Sequence, residues 1–274
     1  MLVIGAADAG KTTFTAWLAN HLRQRGHDVG IVDADVGQSE IGPPATVGLG
    51  AVRGPLTRPG DAETVAFEFV GVTSPGRHPW QVAGAAAKLV RVARARFDRV
   101  VVDTSGFIAG GFAAAVKQRK IAATDPDVVV AIQAGEECEH ILRGIVARER
   151  GPAARGVPDR PLVLRLPAVH GTRRRTVADR RRHRAAVLAR YFAEARAITL
   201  DATRVPLRSV AGDAVALDAL VVGTLVGVRD AAGGSLALGA IEGVDSARQT
   251  LTLTTPAAPA RIASVTIGET TREG

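Results

Sequence analysis

The run Gly5-Ala-Ala-Asp-Ala-Gly10-Lys11-Thr12 has the form G-x-x-x-x-G-K-[ST]; it closes the apolar stretch Leu2 to Gly5 and opens an amphipathic one, Lys11 to Arg25. A strand, a glycine-bearing loop and a helix in that order aim backbone N–H groups at a helix N-terminus, which is a phosphate site. A chance match is on the order of 0.005 for a chain of this composition. The candidate nucleotide-binding residues are therefore Gly5, Asp8, Ala9, Gly10, Lys11, Thr12 and Thr13. Lys11 would reach the β and γ phosphates, and the Thr12 hydroxyl would ligate Mg²⁺.

Around this loop the chain alternates apolar runs with helical stripes, the pattern of an α/β P-loop NTPase whose mostly parallel sheet carries helices on both faces. Strands are expected at Leu2 to Gly5, Val29 to Asp33, Thr64 to Val72, Arg99 to Asp103, Asp127 to Gln133 and Pro161 to Leu166. Helices are expected at Lys11 to Arg25, Trp80 to Phe97, Gly110 to Ala123 and Glu136 to Arg148. Trp17 and Trp80 stand at helical spacing and read as packing residues. Beyond residue 200 helical periodicity fades into short runs split by Gly, Asp and Pro. The expected division is a P-loop domain over 1–200 and a small antiparallel β domain over 201–274.

With 274 residues, 46% of them apolar, the chain can bury a full core. Its lone cysteine, Cys138, cannot form an internal disulfide, and the first residues lack the signature of a secretory leader. The longest apolar stretch, Ala216 to Val228, is interrupted by Asp218, Gly223 and Gly227, so no membrane partner and a cytoplasmic location are expected. The net charge of +8 is local: Gly171 to Arg190 holds eight arginines and one acid, Asp179, and so carries +7. A block of one sign suggests a phosphate-rich partner.

A P-loop alone does not choose among GTPases, ATPases and kinases. The chain has one asparagine, Asn20, and thus no N-K-x-D guanine-reading motif. After the second strand come Asp33 and Asp35, two carboxylates at i and i+2 on one side of an extended chain at the edge where the P-loop lies. One could accept a proton from an attacking hydroxyl and the other could help hold Mg²⁺.

The P-loop with Asp8, Asp35-Val-Gly-Gln38 and Pro43-Pro44 together resemble the polynucleotide 5′-hydroxyl kinases, a family that includes the kinase subunit of the pre-mRNA cleavage complex, an rRNA-processing kinase and archaeal relatives. Phe69-Val-Gly71-Val-Thr73-Ser74-Pro75-Gly76 resembles the strand and loop beside that family's nucleic-acid groove, which would bring Thr73, Ser74, Arg77 and His78 to the substrate. Asp103-Thr104-Ser105-Gly106-Phe107 resembles its substrate clasp, with Phe107 where the family usually has tryptophan. Lys117 to Leu142 reads like the archaeal branch. Arg175, Arg180, Arg184 and Tyr191-Phe192 are similar in type and spacing to the family's lid helix at 171–192. Thr176 and Asp179 form a capping-box pattern that starts a helix at Val177, with Arg180 and Arg184 on one face. Eukaryotic members carry a domain ahead of the P-loop, whereas this loop begins at residue 5.

The resemblance implies an ATP-dependent kinase acting on the 5′-OH end of RNA or DNA, with other nucleoside triphosphates accepted and protein partners unspecified. Catalysis would fall to Lys11, Asp35, Arg175 and Arg180, nucleotide contacts also to Arg184, and metal to Thr12, Asp33 and Asp103. Substrate contacts would come from Asp35, Gln38, Thr73, Ser74, Arg77, His78, Thr104, Gly106 and Phe107. How Asp33, Asp35 and Asp103 divide their labour stays open. The rivals are a small-molecule P-loop kinase and an ATP-binding scaffold with little turnover.

Overall fold

A computed structural model describes residues 1–146, 161–168 and 176–272. Its first sheet is built from β1 (Leu2–Gly5), α1 (Lys11–Gln24), β2 (Val29–Ala34), β3 (Thr46–Ala51), β4 (Glu63–Phe69), α2 (Pro79–Arg94), β5 (Arg99–Thr104), α3 (Gly110–Thr124), β6 (Val128–Gln133), α4 (Glu139–Val146) and β7 (Leu162–Pro167). The strand order is β4-β3-β2-β5-β1-β6-β7. All neighbours run parallel except β3, which is antiparallel to both β2 and β4. Central strands are apolar on both sides because both faces are covered. Leu2 and Ile4 pack toward α2, α3 and α4, while Val3 packs toward Leu18 of α1.

The strand β3 was not among the expected elements. Gly48 and Gly50 dilute its apolar signal, yet they are what lets the chain fit: a Cβ on Gly48 would stand 1.9 Å from the Ile41 carbonyl oxygen. Trp17 and Trp80, expected to pack in the core, are instead 57% and 56% exposed. The helical stripes are real, but each tryptophan lies at the stripe's solvent margin. The C-terminal end of the helix expected over Glu136 to Arg148 lies outside the described residues, as do His170, Arg173, Arg174 and Arg175.

After α5 (Val177–Tyr191) the chain forms β8 (Arg196–Asp201), β9 (Leu207–Ser209), β10 (Thr224–Arg229), β11 (Ser235–Asp245), β12 (Thr250–Thr255) and β13 (Ser264–Thr271). They make a second sheet in the order β8-β12-β11-β10-β13-β9, antiparallel apart from the edge strand β9. It begins at Arg196, ahead of the boundary expected at residue 201. The helix start at Val177 matches expectation: the Thr176 hydroxyl accepts from the Asp179 N–H and the Asp179 carboxylate accepts from the Thr176 N–H.

The two sheets meet around α5. Leu188 and Phe192 pack with Phe69, Leu225, Leu238 and Ala240, and the Leu238 N–H donates to the Tyr191 hydroxyl oxygen at 2.9 Å. Removing that acceptor strands a buried N–H, so Tyr191→Phe should cost about 1–3 kcal/mol of unfolding free energy. Urea denaturation checks this, and an unchanged midpoint would mean that the hydroxyl does not tie the helix to the sheet.

Candidate active site

The parallel strands β2, β5 and β1 end side by side, so three loops converge at one sheet edge. The P-loop leaves β1 through Gly5, where a Cβ would stand 2.4 Å from the Ile132 carbonyl oxygen. It turns left-handed at Asp8 (φ 59°) and enters α1 through Gly10 (φ 93°). Lys11 is buried, and its Nζ donates to the Ala6 carbonyl at 2.7 Å. Burial lowers its pKa, opposed by the nearby Asp103, Asp35 and Asp8 charges. The clasp backbone lies directly on the P-loop, since a Cβ on Gly106 would come within 2.5 Å of the Ala7 nitrogen.

The three carboxylates occupy different situations. Asp33 is buried, and its Oδ1 accepts from the Asp35 N–H (3.0 Å) while Oδ2 accepts from those of Glu40 (2.6 Å) and Ile41 (3.1 Å). It holds the β2–β3 loop in shape. Burial and the Asp103 and Asp35 charges push its pKa well above the carboxylate range. Asp35 is half-buried at the cleft, with Oδ1 accepting from Gly37 and Gln38, so that Oδ2 carries neither of these bonds. Asp103 accepts from the Thr104 N–H and from the Thr12 hydroxyl, and burial raises its pKa to about 6 against the pull of Lys11.

These donors fit Mg²⁺. Thr12 and Asp103 are hard oxygen donors already side by side, and a cation there would offset the burial that raises the Asp103 pKa. Among the described residues no cluster of three His, Cys, Asp or Glu could hold a metal. That agrees with Mg²⁺ taking one or two protein ligands and completing its shell with phosphate and water.

Under the cleft lie two residues that the sequence reading did not single out. Lys117 and Lys120 of α3 are fully buried. Lys117 Nζ donates to the Thr104 hydroxyl (2.8 Å) and to the Ser105 carbonyl, and Lys120 Nζ donates to the Ala34 carbonyl (2.9 Å). Burial lowers both pKa values, Lys120 to about 8. A signal was available, because only four of the chain's 35 basic residues are lysines and three of those, Lys11, Lys117 and Lys120, are buried here. Lysine suits such positions because its compact ammonium can reach single carbonyls inside a core.

The cleft has a volume of about 630 Å³. The P-loop, Asp35, Gln38, Thr73, Ser74, Gly106 and Phe107 line it, and α5 closes one side with Arg180 and Arg184. Arg184 donates to the Gly37 carbonyl at 3.5 Å, while the buried Nε atoms of Arg180 and Arg184 have no partner among the described residues. Two guanidinium groups lining the same cleft as the P-loop are suited to phosphate oxygens. Other expected site residues lie elsewhere. The Thr104 hydroxyl is buried, donating to the Val3 carbonyl at 2.7 Å, and so supports the clasp from below. Arg77 and His78 both contact Glu269 of β13, at 2.9 and 2.6 Å, and so link the groove loop to the second sheet. Arg175 lies outside the described residues.

Residues 5–194 match the family described as mRNA cleavage and polyadenylation factor CLP1 P-loop. The chain belongs to this family. It is 31% identical over 207 residues to a polyribonucleotide 5′-hydroxyl-kinase of Thermococcus kodakarensis, covering 76% of this chain and 55% of the relative. It is 38% identical over 144 residues to one of Pyrococcus horikoshii, covering 53% of this chain and 40% of the relative. The chain thus spans about half the length of the curated relatives it matches. Among solved structures, the wild-type Clp1p–Pcf11p complex shares its fold with a TM-score of 0.73 at 12% identity, over 98% of this chain and 74% of the other.

If Asp103 helps to hold the metal, burial of its carboxyl would give Mg²⁺ binding a pH dependence. A protonated acid is a poor ligand, so Mg²⁺ affinity with bound ADP should fall by up to about tenfold per pH unit below about 6 and level off above it. Asp103→Asn should bind Mg²⁺ more weakly and show only the pH dependence that the nucleotide itself contributes. Calorimetric Mg²⁺ titrations from pH 5 to 7.5 measure this, and identical profiles for the two proteins would remove Asp103 from the metal site.

Proposed function

We propose that this chain is the catalytic part of an ATP-dependent polynucleotide 5′-hydroxyl kinase, which moves the γ-phosphoryl group of a nucleoside triphosphate to the 5′-OH end of RNA or DNA. The observation that carries this reading is the meeting, in one cleft, of Lys11, Asp35 and the lid arginines Arg180 and Arg184. The kinase names of the archaeal relatives support it.

In this mechanism the P-loop N–H groups and Lys11 hold the β and γ phosphates. Asp35, oriented through Oδ1, presents Oδ2 to the terminal 5′-OH and takes its proton as the oxygen attacks phosphorus in line. Lys11, Arg180 and Arg184 neutralise the charge that spreads over the transferred group. Thr12 and Asp103 would hold Mg²⁺, which would supply charge neutralisation for the transferred phosphate. Asp33 shapes the loop that carries Asp35. Gln38, Thr73, Ser74, Gly106 and Phe107 position the end of the strand, and Arg175 joins the lid. With no N-K-x-D guanine-reading motif and with binding through the phosphates, other nucleoside triphosphates should be accepted with slight discrimination. We place the kinase unit in residues 1–200, with the second sheet as the support of its lid, and its work in the cytoplasm. None of the described helices is long and apolar enough to cross a membrane.

Lys11→Ala should abolish transfer. Asp35→Ala should keep ATP binding within a few-fold and lower kcat by about 10²-fold or more, the scale of general-base loss. Arg180→Lys keeps the charge but loses the bidentate fork, so it should recover only part of what Arg180→Ala loses in kcat. Steady-state transfer kinetics with nucleotide-binding titrations check all three, and near-normal turnover of Asp35→Ala would move the base elsewhere.

A further inference from the structure

The rim of the cleft continues outward as a stripe of exposed aromatic and cationic side chains. Phe107, which lines the cleft, meets Phe112 edge-on with ring centroids 6.1 Å apart, and Phe112 is 58% exposed. Gly76 of the groove loop lies against both rings, where a Cβ would sit 3.3 Å from Phe112 and 3.6 Å from Phe107. Along α3 the solvent face runs from Phe112 through Ala115 to Arg119. The Arg119 guanidinium lies over the Trp80 ring at 4.4 Å from its centroid, at the start of α2. A helical rise of 1.5 Å per residue separates Phe112 from Arg119 by about 10 Å, close to the span of three stacked nucleotides at roughly 3.4 Å each.

None of this packs a core. Large aromatics cost free energy when left in water, and here two exposed aromatic stations, one topped by a permanent cation, lie at opposite ends of the solvent face of α3 that starts beside the cleft residue Phe107. Bases offer flat π faces to aromatic rings and guanidinium planes, and the strand's phosphates match the positive charge of Arg119. The small Ala115 between the stations leaves room for the strand to pass.

We propose that Trp80 and Arg119 form a second base-stacking station, which binds the nucleotides about three positions downstream of the 5′-OH end while Phe107 and Phe112 receive the terminal base. This rests on the kinase reading and adds to it the chemical class of the extended substrate: a single strand of at least four nucleotides with unpaired bases. A protein occupant is the competing use of the same face.

The test compares 5′-OH oligonucleotides of two and eight nucleotides. In the unaltered protein the octamer should have a KM about 5- to 150-fold below that of the dinucleotide, the range expected for stacking of one base. Trp80→Ala should bring the two within about twofold, and Trp80→Phe should restore part of the difference. An octamer lacking the bases at its third to fifth positions should behave toward the unaltered protein as the intact octamer does toward Trp80→Ala. Retention of the full length preference by Trp80→Ala, or equal binding of the abasic octamer, overturns the proposal and leaves the face to a protein partner. Should no oligonucleotide be phosphorylated, the kinase reading falls separately. Quenching of Trp80 fluorescence by the octamer in a Trp17→Phe background then still decides the station.

Discussion

Where β1, β2 and β5 end, six ionisable side chains share one small space. Lys11, Asp33, Asp103, Lys117 and Lys120 are buried and Asp35 is half-buried. Isolated burial of any one would be prohibitive. Three carboxylates and three ammonium groups balance, and backbone groups supply further partners: three N–H donors to Asp33, and the carbonyls of Ala6, Ser105 and Ala34 to the lysines. The pKa directions show that the compensation is incomplete, with acids pushed up and lysines pushed down chiefly by lost solvent. A triphosphate with its metal adds charge of both signs at the open side, while Lys117 and Lys120 hold the clasp and the root of the Asp35 loop from beneath.

The lid is the other half of the arrangement. The last turn of α5 is fixed in the apolar seam between the sheets, through Leu188, Phe192 and the Tyr191 hydroxyl. Its first turn, capped by Thr176 and Asp179, carries Arg180 toward the cleft and reaches Arg184 one turn on. An arginine-rich helix with little apolar face of its own is thus anchored in the core at its last turn. The contacts of Arg77 and His78 with Glu269 brace the groove loop against the same second sheet, so one support serves both sides of the cleft.

What the sequence showed and what it concealed follow from range. The P-loop, the Asp33–Asp35 pair, the capping box and the central strands are local patterns, and each stands where expected. The strand β3 was hidden because its glycines answer to the Ile41 carbonyl rather than to strand propensity. Periodicity put Trp17 and Trp80 on apolar stripes but could not say that both lie at the stripe's edge. No local pattern pointed to Lys117 and Lys120 as buried, and only their identity as lysines in an arginine-rich chain marked them. Glu269 claims Arg77 and His78 from nearly two hundred residues away, which no spacing could reveal.

The central claim is that the cleft passes a γ-phosphoryl group to a strand end. The most direct measurement gives the unaltered protein γ-labelled ATP with Mg²⁺ and two oligoribonucleotides of one sequence, one ending in a 5′-hydroxyl and one already 5′-phosphorylated. The account predicts label on the first, none on the second, and ADP formed in step with the labelled end. Bound ATP with no label transferred, or label released as free phosphate at the same rate whether or not a 5′-hydroxyl is present, would contradict it.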